Sequence, residues 1–320
     1  MGFLLPATGK PFDPETDIPD LAGKVILVTG ANTGIGKATV VALAVHQPER
    51  IYLAARDAEK AAGAIKDVEA AVPGACISFL ELDLASLASV RSAARRVISE
   101  VKRLDILVCN AGIMAAPPGL TVDGYELQFQ TNHLGHALLI KLLLPTLLHT
   151  AEAPDSDVRV ICQSSLGFQI APMGGIRFDS LKTTQEDLSV LPDSFGTYYR
   201  YGQSKLANIL TAAELAKRYP QITAVSVHPG IVDTQLLPNY LRNKWIRLVM
   251  TRSTSLKTPM EGAYNQLWTA TAPKDHLVNG EFYEAVGVLG VDSCYSKSEK
   301  LAAQLWDWTM KELEAYETDM

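Results

Sequence analysis

Short apolar runs alternate with longer amphipathic stretches along most of the chain. The apolar runs are rich in Val, Ile and Leu and lack a regular polar alternation, which indicates strands buried on both faces. We predict six such strands: Lys24–Thr29, Ile51–Ala55, Ile77–Leu82, Ile106–Cys109, Val158–Gln163 and Ile222–Val227.

Helical spacing of apolar residues marks the stretches between these strands. The predicted helices are Gly34–His46, Ala58–Ala71, Leu87–Val101, Val122–Leu148, Tyr199–Arg218 and Ser298–Glu314. Alternating strands and helices predict a parallel sheet covered on both faces, and right-handed crossovers make it a doubly wound α/β fold. We therefore predict a single Rossmann domain over residues 1–320, with a central parallel sheet of about seven strands. Its ligands should bind at the carboxyl ends of the strands.

Four segments fall outside this alternation. Residues 1–21 form an N-terminal arm, and residues 166–198, rich in Gly, Pro, Asp and Ser, form an insertion. Residues 235–259 carry an apolar set that suits either a core helix or a lid over a lipophilic substrate. Residues 297–320 contain the C-terminal helix.

Composition narrows the class of protein. Of 320 residues, 48% are hydrophobic and 20% charged, which is typical of a globular chain. The 29 basic and 35 acidic residues give a net charge of −6, which argues against a nucleic-acid partner. The four cysteines form no CxxC pair and suit a reducing compartment. The most apolar stretch, Ala137–Leu148, is too short to span a bilayer, so we expect a cytoplasmic protein without a transmembrane segment.

A glycine-rich segment with the spacing GxxxGxG joins the first strand to the first helix. Gly30 permits a tight turn, Gly34 lets backbone approach a pyrophosphate, and Gly36 allows close packing of helix on sheet. The helix N terminus offers free N–H groups to the anion. The predicted dinucleotide-binding residues here are Gly30, Asn32, Thr33, Gly34, Ile35, Gly36 and Lys37.

The end of the second strand indicates which dinucleotide is bound. An acid at this position would hold the 2′-hydroxyl of NAD. The chain instead has Ala55 followed by Arg56, which suits a 2′-phosphate, and Lys37 adds a second cation. NADP is therefore favoured over NAD. Asp57 leaves an alternative, because a shift of two residues would restore an acid.

Tyr201 and Lys205 are spaced i, i+4, so they share one face of a predicted helix. A nearby ammonium stabilises a phenolate and should lower the pKa of the Tyr201 phenol toward the range of a general acid/base. Ser164 and Ser165 end the fifth strand, where their hydroxyls would lie at the carboxyl edge of the sheet.

Together these motifs resemble the short-chain dehydrogenase/reductase family. The matching elements stand in the family's order: Thr29–Gly36, Asn110-Ala-Gly112, Asn132, Ser165, Tyr201-x-x-x-Lys205, and His228-Pro-Gly230 with Thr234. The GxxxGxG spacing is similar to that of the simple oxidoreductase branch. The stretches around Asp123–Leu127, Asn132–His136 and Tyr201–Asn208 are similar to retinol-dehydrogenase-like members and their fungal relatives.

The resemblance implies a catalytic set of Asn132, Ser165, Tyr201 and Lys205. Tyr201 would exchange a proton with the substrate oxygen, and Lys205 would lower its pKa and hold the nicotinamide ribose. Ser165, with Ser164 as its rival, would polarise the carbonyl. Asn132 would hold a water of a proton relay.

The resemblance also implies further cofactor contacts. Asp83 and Leu84 would border the adenine, and Asn110, Ala111 and Gly112 would lie by the adenosine ribose. The nicotinamide would meet the segment containing Pro229, Gly230, Val232 and Thr234. Family members often form dimers or tetramers through the helices that carry Asn132 and Tyr201. The resemblance therefore makes a homodimer or homotetramer possible, and the oligomeric state stays open because the C-terminal extension could cover or reshape those helices.

These observations predict an NADP(H)-dependent oxidoreductase that interconverts a carbonyl and an alcohol on a lipophilic small molecule. Two alternatives are a non-catalytic NADP-binding scaffold or sensor, and a non-redox dehydratase or isomerase on the same fold. His133 and His136 belong to no set of metal ligands and suit structural roles, so no metal site is predicted.

Overall fold

The computed structural model describes residues 11–154, 156–188, 194–236 and 256–316. Its strands are β1 Val25–Thr29, β2 Arg50–Ala55, β3 Ile77–Glu81, β4 Ile106–Cys109, β5 Arg159–Gln163, β6 Thr223–Val227, β7 Phe282–Ala285 and β8 Val288–Leu289. They form one sheet in the order β3-β2-β1-β4-β5-β6-β7-β8. The strands β1 to β7 are parallel, and β8 pairs antiparallel with β7. The predicted doubly wound fold is therefore confirmed, with a short antiparallel strand at one edge.

The helices cover both faces of this sheet. They are α1 Pro14–Asp17, α2 Gly34–Ala44, α3 Ala58–Ala71, α4 Leu87–Glu100, α5 Leu127–Phe129, α6 Gly135–Ala151, α7 Ser194–Arg218, α8 Pro259–Thr271 and α9 Glu299–Glu312. A π-helical turn, Gln130–Leu134, joins α5 to α6. Along β1, Val25 and Leu27 enter one hydrophobic cluster, whereas Ile26 and Val28 enter the other. Burial on both faces explains why the strand sequences are continuously apolar.

The order of the strands places a crevice beside β1. Ile26 pairs with Ile51 of β2 on one side and with Ile106 of β4 on the other. Strands β2 and β3 are added on one side of β1, and the strands from β4 onward on the other side. Doubly wound folds bind ligands where the strand order reverses in this way. The glycine-rich segment and Asn110 both lie there, directly after β1 and β4.

The predicted helix Val122–Leu148 was wrong at its start. Leu120 and Glu126 form an antiparallel bridge around a turn in which Gly124 has a φ of 81°, and the helix begins only at Leu127. The Glu126 amide also donates to the Leu181 carbonyl in the insertion, so this segment is held by distant residues. At the other end of the insertion, α7 begins at Ser194, before the predicted Tyr199.

Two regions of regular structure were not predicted. The helix α8 begins with a capping box between Thr258 and Glu261, with Pro259 as its first residue. It overlaps only the end of the predicted lid 235–259, of which residues 237–255 lie outside the described residues. The hairpin of β7 and β8 was missed because its strands are too short for a periodic signal.

The terminal segments and the insertion pack against the sheet's helices. In the N-terminal arm, Ile18 and Leu21 are buried in the same cluster as Ile26. At the other end, α9 packs on α7 through Leu301 and Leu305. The described part of the insertion contains the short 3-10 turns Leu166–Ile170, Phe178–Ser180 and Glu186–Leu188.

One helical run is longer than the apolar stretch seen in the sequence. By length and composition alone, Leu127–Ala151 could cross a bilayer, with a mean hydropathy of 1.4 over its most apolar window. However, 61% of that window is buried inside the fold, which is typical of a core helix in a globular domain.

Candidate active site

The glycine-rich segment lies in close contact with the segment that follows β4. Gly30 has a φ of +63°, and a Cβ on it would lie 2.9 Å from the Cα of Ala111. A Cβ on Gly36 would lie 2.5 Å from the Gly30 carbonyl oxygen, so only glycine fits at either position. Among the described residues, the Thr33 side chain makes no capping hydrogen bond to α2. The first amides of α2 are therefore available to an anion.

The segment Asn110–Gly112 connects this loop to the other half of the site. The Asn110 Nδ2 donates to the Thr29 carbonyl at 2.8 Å, and the Ala111 amide donates to the Thr29 hydroxyl at 3.0 Å. A Cβ on Gly112 would lie 3.1 Å from Asn132 Oδ1 and 3.2 Å from Lys205 Nζ. The predicted cofactor loop and two predicted catalytic side chains therefore meet at Gly112.

Ser165 and Tyr201 lie side by side at Gly167. A Cβ on Gly167 would lie 2.8 Å from Cε1 of the Tyr201 ring and 3.4 Å from Ser165 Oγ. Ser165 follows β5 in extended backbone, and its hydroxyl also accepts from the Gly167 amide at 3.1 Å. Ser164 instead donates its hydroxyl hydrogen to the Lys205 carbonyl at 2.7 Å and is 2% exposed. Of the two serines, Ser165 is therefore the one beside the tyrosine.

Burial determines the ionisation of the two central side chains. It raises the pKa of Tyr201 to about 12, against the opposite effect of the neighbouring Ser165 hydroxyl. It also lowers the pKa of Lys205 to about 8. The Lys205 Nζ lies 5.7 Å from the centroid of the Tyr201 ring, so the expected lowering of the Tyr201 pKa by this ammonium was wrong for this geometry. The Tyr201 phenol holds its proton at neutral pH and can donate it.

Asn132 lies in the π-helical turn and is fully buried. Its Oδ1 accepts from the Ile113 amide at 2.7 Å, and its Nδ2 donates to the Ser204 hydroxyl at 2.9 Å. The Lys205 Nζ donates to the Gln163 carbonyl at 3.0 Å. These bonds connect the loop after β4, the π-helical turn, α7 and β5.

The end of β2 has the predicted register. The strand ends at Ala55, and Arg56 follows it as an exposed side chain. Asp57 caps α3, because its Oδ1 accepts from the Lys60 amide at 3.0 Å, and this bond lowers the pKa of the Asp57 carboxyl. Lys37 forms an ion pair with Asp67 of α3.

The segment Asp83-Leu84 directly follows β3. The Asp83 carboxylate accepts from the Ala85 amide at 2.9 Å, and Leu84 is buried. A Cβ on Gly135 would lie 2.6 Å from the Leu84 carbonyl oxygen, so glycine is required there too, which sequence reasoning missed.

The segment Pro229–Thr234 leaves β6 and approaches the glycine-rich loop. Gly230 has a φ of +87°, and a Cβ on it would lie 2.9 Å from the Cε of Lys257. A Cβ on Gly34 would lie 3.3 Å from Thr234 Cγ2, and Val232 forms a parallel bridge with Lys257. The predicted cofactor residues of this segment therefore lie over the start of α2.

Sequence reasoning also missed the position of His136. Its Nε2 lies 2.8 Å from the Thr29 hydroxyl, and its Nδ1 lies 3.0 Å from the Asn132 carbonyl oxygen. The i, i+4 spacing of Asn132 and His136 was the available signal, because it places both on one face of a helix.

Comparison with known proteins gives related chains over nearly the whole length. The family model for short chain dehydrogenases matches residues 24–173. An uncharacterized oxidoreductase of Schizosaccharomyces pombe is 43% identical over 283 residues, which is 86% of this chain and 80% of the relative. Mouse retinol dehydrogenase 12 is 37% identical over 291 residues, or 90% of this chain and 85% of that protein.

Solved structures show the same architecture. An uncharacterized protein from Mycobacterium paratuberculosis superposes with a TM-score of 0.71 at 29% identity, covering 96% of this chain and 98% of that one. The RhlG/NADP active-site complex of Pseudomonas aeruginosa gives a TM-score of 0.64 at 26% identity, covering 84% of this chain and 96% of that one.

Proposed function

This chain belongs to the short-chain dehydrogenase/reductase family, and we propose that it is an NADP(H)-dependent oxidoreductase that interconverts a carbonyl and an alcohol on a lipophilic small molecule. The observation that carries this proposal is the close approach of Ser165 and Tyr201 at Gly167, beside Lys205. This cluster faces the glycine-rich loop across Gly112, so a dinucleotide and a substrate oxygen could be held side by side.

The residues present fit a nicotinamide dinucleotide. The Gly30 and Gly36 contacts leave no room for a side chain, and the uncapped amides of α2 suit a pyrophosphate. Asp83 and Leu84 would border the adenine, Asn110, Ala111 and Gly112 the adenosine ribose, and Pro229 to Thr234 the nicotinamide. When bound, the cofactor supplies or accepts the hydride.

Each catalytic side chain has a separate task in carbonyl reduction. Ser165 donates a hydrogen bond that orients and polarises the substrate carbonyl. Tyr201, protonated at neutral pH, gives its proton to the oxygen as the carbonyl carbon is reduced. Lys205 would hold the nicotinamide ribose, and Asn132 would hold a water of the path that returns a proton from solvent. A phenol with a raised pKa suits reduction better than oxidation, since it begins the step with the proton in place.

NADP is proposed over NAD because of the end of β2. Arg56 is exposed directly after Ala55, while Asp57 is engaged in capping α3. The ion pair of Lys37 with Asp67 is exposed to solvent and worth about 0–1 kcal/mol, so a 2′-phosphate could compete for the ammonium. The NADP complex of the RhlG relative is consistent with this choice.

We propose that the substrate is a lipophilic carbonyl compound of retinoid, steroid or polyketide type. We also propose that the reaction belongs to secondary metabolism. Apolar side chains lie next to the catalytic loops: Met114 near Gly112, and Leu166 and Ile170 after Ser165. The similarity to a protein named retinol dehydrogenase supports a substrate of this class. The four free cysteines support a reducing compartment, and we propose the cytoplasm.

The test is the oxidation of NADPH by the purified protein with a panel of lipophilic and polar aldehydes and ketones. Tyr201→Phe should lower turnover by a factor of about 10² to 10⁴ while NADPH still binds, as followed by its fluorescence. Tyr199→Phe, on the same helix, is the matched control and should keep normal activity.

Three results would overturn the proposal. Near-normal turnover in Tyr201→Phe would remove Tyr201 from the mechanism. Cofactor binding without turnover of any carbonyl would favour a scaffold or sensor. Product formation without net consumption of NADPH would favour a dehydratase or isomerase.

A further inference from the structure

We propose that His136 is a positioning residue that connects the cofactor loop to the catalytic helix through a continuous chain of buried hydrogen bonds. This inference rests on the proposed function, because it concerns how Tyr201 is held. Within the described part of the chain, the hydrogen-bond partners of His136 are Thr29 and the Asn132 carbonyl, not Ser165 or Tyr201. It therefore acts through these two partners.

The first half of the chain begins at the cofactor loop. The Ala111 amide donates to the Thr29 hydroxyl at 3.0 Å. The Thr29 hydroxyl lies 2.8 Å from His136 Nε2. Thr29 directly precedes Gly30, and Ala111 packs against Gly30, so this end of the chain is attached to the loop that would hold the dinucleotide.

The second half ends on the helix that carries the tyrosine. His136 Nδ1 lies 3.0 Å from the Asn132 carbonyl oxygen. The Asn132 Nδ2 donates to the Ser204 hydroxyl at 2.9 Å, and that hydroxyl donates to the Tyr201 carbonyl at 2.7 Å. His136 therefore joins Thr29, at the end of β1, directly to Asn132 and so to α7. A second route runs along the loop after β4, where the Ile113 amide donates to Asn132 Oδ1 at 2.7 Å.

Two backbone carbonyl oxygens, those of Asn132 and Tyr201, and the neutral His136 ring determine which group donates in each hydrogen bond of the chain. A carbonyl oxygen only accepts, so the His136 Nδ1 must carry the hydrogen. Burial lowers the pKa of His136 to about 4, and the Lys205 ammonium acts in the same direction, so the ring is neutral and its Nε2 accepts. The Thr29 hydroxyl has two acceptors within reach, His136 Nε2 at 2.8 Å and the Val108 carbonyl at 3.4 Å. It donates to the nearer Nε2 and keeps a lone pair for the Ala111 amide. Each hydroxyl accepts from one neighbour and donates to the next.

Water has little access to replace a lost link. His136 is 3% exposed, and Thr29, Asn132 and Ser204 are fully buried. Removing the imidazole would leave the Thr29 hydroxyl and the Asn132 carbonyl each without this partner in the interior. A shift of the π-helical turn would then pass through Ser204 to the backbone of Tyr201, and a displacement of about 1 Å at a catalytic group can cost about a hundredfold in rate.

The test compares two buried histidines three residues apart. His136→Leu removes both links, whereas His133→Leu removes a ring that lies 3.3 Å from the Thr309 hydroxyl and 3.5 Å from the Thr211 hydroxyl, outside the chain. His133 is 1% exposed, so the two variants match in burial. We expect His136→Leu to lower kcat about ten- to a hundredfold, with a much smaller change in the Kd for NADPH. We expect His133→Leu to keep kcat near the wild-type value.

A conservative variant separates positioning from packing. His136→Asn retains a donor near the position of Nδ1 but does not reach Thr29, so its kcat should fall between that of His136→Leu and the wild type. Equal kcat values for His136→Leu and His133→Leu would overturn the proposal. So would a loss confined to NADPH affinity.

A spectroscopic measurement tests the chain without any turnover. Nitrogen-15 NMR of the histidine side chains at neutral pH should show His136 as a neutral ring protonated at Nδ1, assigned by comparison with His136→Leu. An Nε2-protonated ring or an imidazolium would break the chain and overturn the inference, whatever the substrate is. If instead the tautomer is as expected and no carbonyl is reduced, the proposed function fails and the chain stands.

Discussion

The guanidinium Nε of Arg200 lies 3.5 Å from the Glu126 carboxylate, and both side chains are fully excluded from solvent. Arg200 directly precedes Tyr201, and it also donates to the Thr197 hydroxyl at 2.9 Å and to the Gln185 carbonyl at 3.4 Å. The pair therefore fastens the start of α7 to the insertion and to the turn before α5. Burial lowers the pKa of Arg200 and raises that of Glu126.

Arg200→Met should destabilise the protein by about 3–5 kcal/mol, because it leaves the Glu126 carboxylate unpaired in the interior. The double variant Arg200→Met/Glu126→Leu should recover part of this loss, since it removes the uncompensated charge. The measurement is the free energy of unfolding in denaturant at neutral pH.

An exposed ion pair provides the control for this experiment. Lys217 and Glu299 lie 2.8 Å apart with side chains that are 61% and 84% exposed. Glu299→Ala should change the free energy of unfolding by less than about 1 kcal/mol. A loss in Arg200→Met no larger than in this control would show that the buried pair does not hold the insertion.

Gly36→Ala should abolish NADPH binding, because the added Cβ would lie 2.5 Å from the Gly30 carbonyl oxygen and 2.6 Å from the side-chain nitrogen Nδ2 of Asn110. The Gly30 carbonyl is backbone of the glycine-rich segment, so this contact can be relieved only by moving that segment. Gly63→Ala, on the exposed side of α3, meets nothing within 4 Å. It should stabilise the protein by about 0.5–1 kcal/mol through helix propensity and leave the Kd for NADPH unchanged. Titration of NADPH fluorescence measures both, and wild-type affinity in Gly36→Ala would contradict the role assigned to this glycine.

The elements that sequence analysis predicted well are those determined by local pattern. The strands β1, β2 and β4 are nearly continuous apolar runs because both sheet faces are covered there, and Gly30 and Gly36 follow from a turn and a close contact that only glycine permits. The start of the long helical run was not predictable in this way. Val122–Glu126 has helical spacing, yet a bridge to Leu120 and a bond to the Leu181 carbonyl hold it in a turn.

The site's electrostatics also depend on contacts between distant segments. The i, i+4 spacing identified Tyr201 and Lys205, but the pKa of each is set by burial, which the spacing does not reveal. His136 joins Thr29 to Asn132 only because β1 and the π-helical turn meet in the fold. The proposed preference for NADP rests on both kinds of information. The residues at the end of β2 were predicted from the sequence, whereas the capping role of Asp57 was seen only in the structure.

Arg56→Ala should raise the KM for NADPH about ten- to a hundredfold and leave the KM for NADH nearly unchanged. A hydrogen bond between charged groups contributes about 1.5–3 kcal/mol, and each 1.4 kcal/mol is a factor of about ten in affinity. Lys66→Ala, which removes an exposed cation from the middle of α3, is the control for net charge and should change neither constant. If NADPH preference survives in Arg56→Ala, the 2′-phosphate is held elsewhere, and NADP selectivity cannot be assigned to this strand end.

The buried histidines should make the protein less stable as the pH falls below neutrality. Burial lowers the pKa of His133 to about 3 and that of His136 to about 4, whereas both titrate near 6.5 in the unfolded chain. Between these values the unfolded state binds more protons than the folded state, so stability rises with pH, and it is lost as the pH falls from about 6.5 toward 4. At pH 5 each histidine should cost about 2 kcal/mol relative to pH 7.

His133→Gln isolates one of these contributions, because the variant has no proton to bind at that position. The destabilisation that this substitution causes at pH 7 should shrink by about 2 kcal/mol at pH 5, as measured by denaturant unfolding at both values. His149→Gln, which replaces a side chain that is 71% exposed, is the control and should show the same effect at both pH values. An equal effect of His133→Gln at pH 5 and pH 7 would mean that His133 titrates alike in the folded and unfolded chain, which its burial beside Phe129 does not allow.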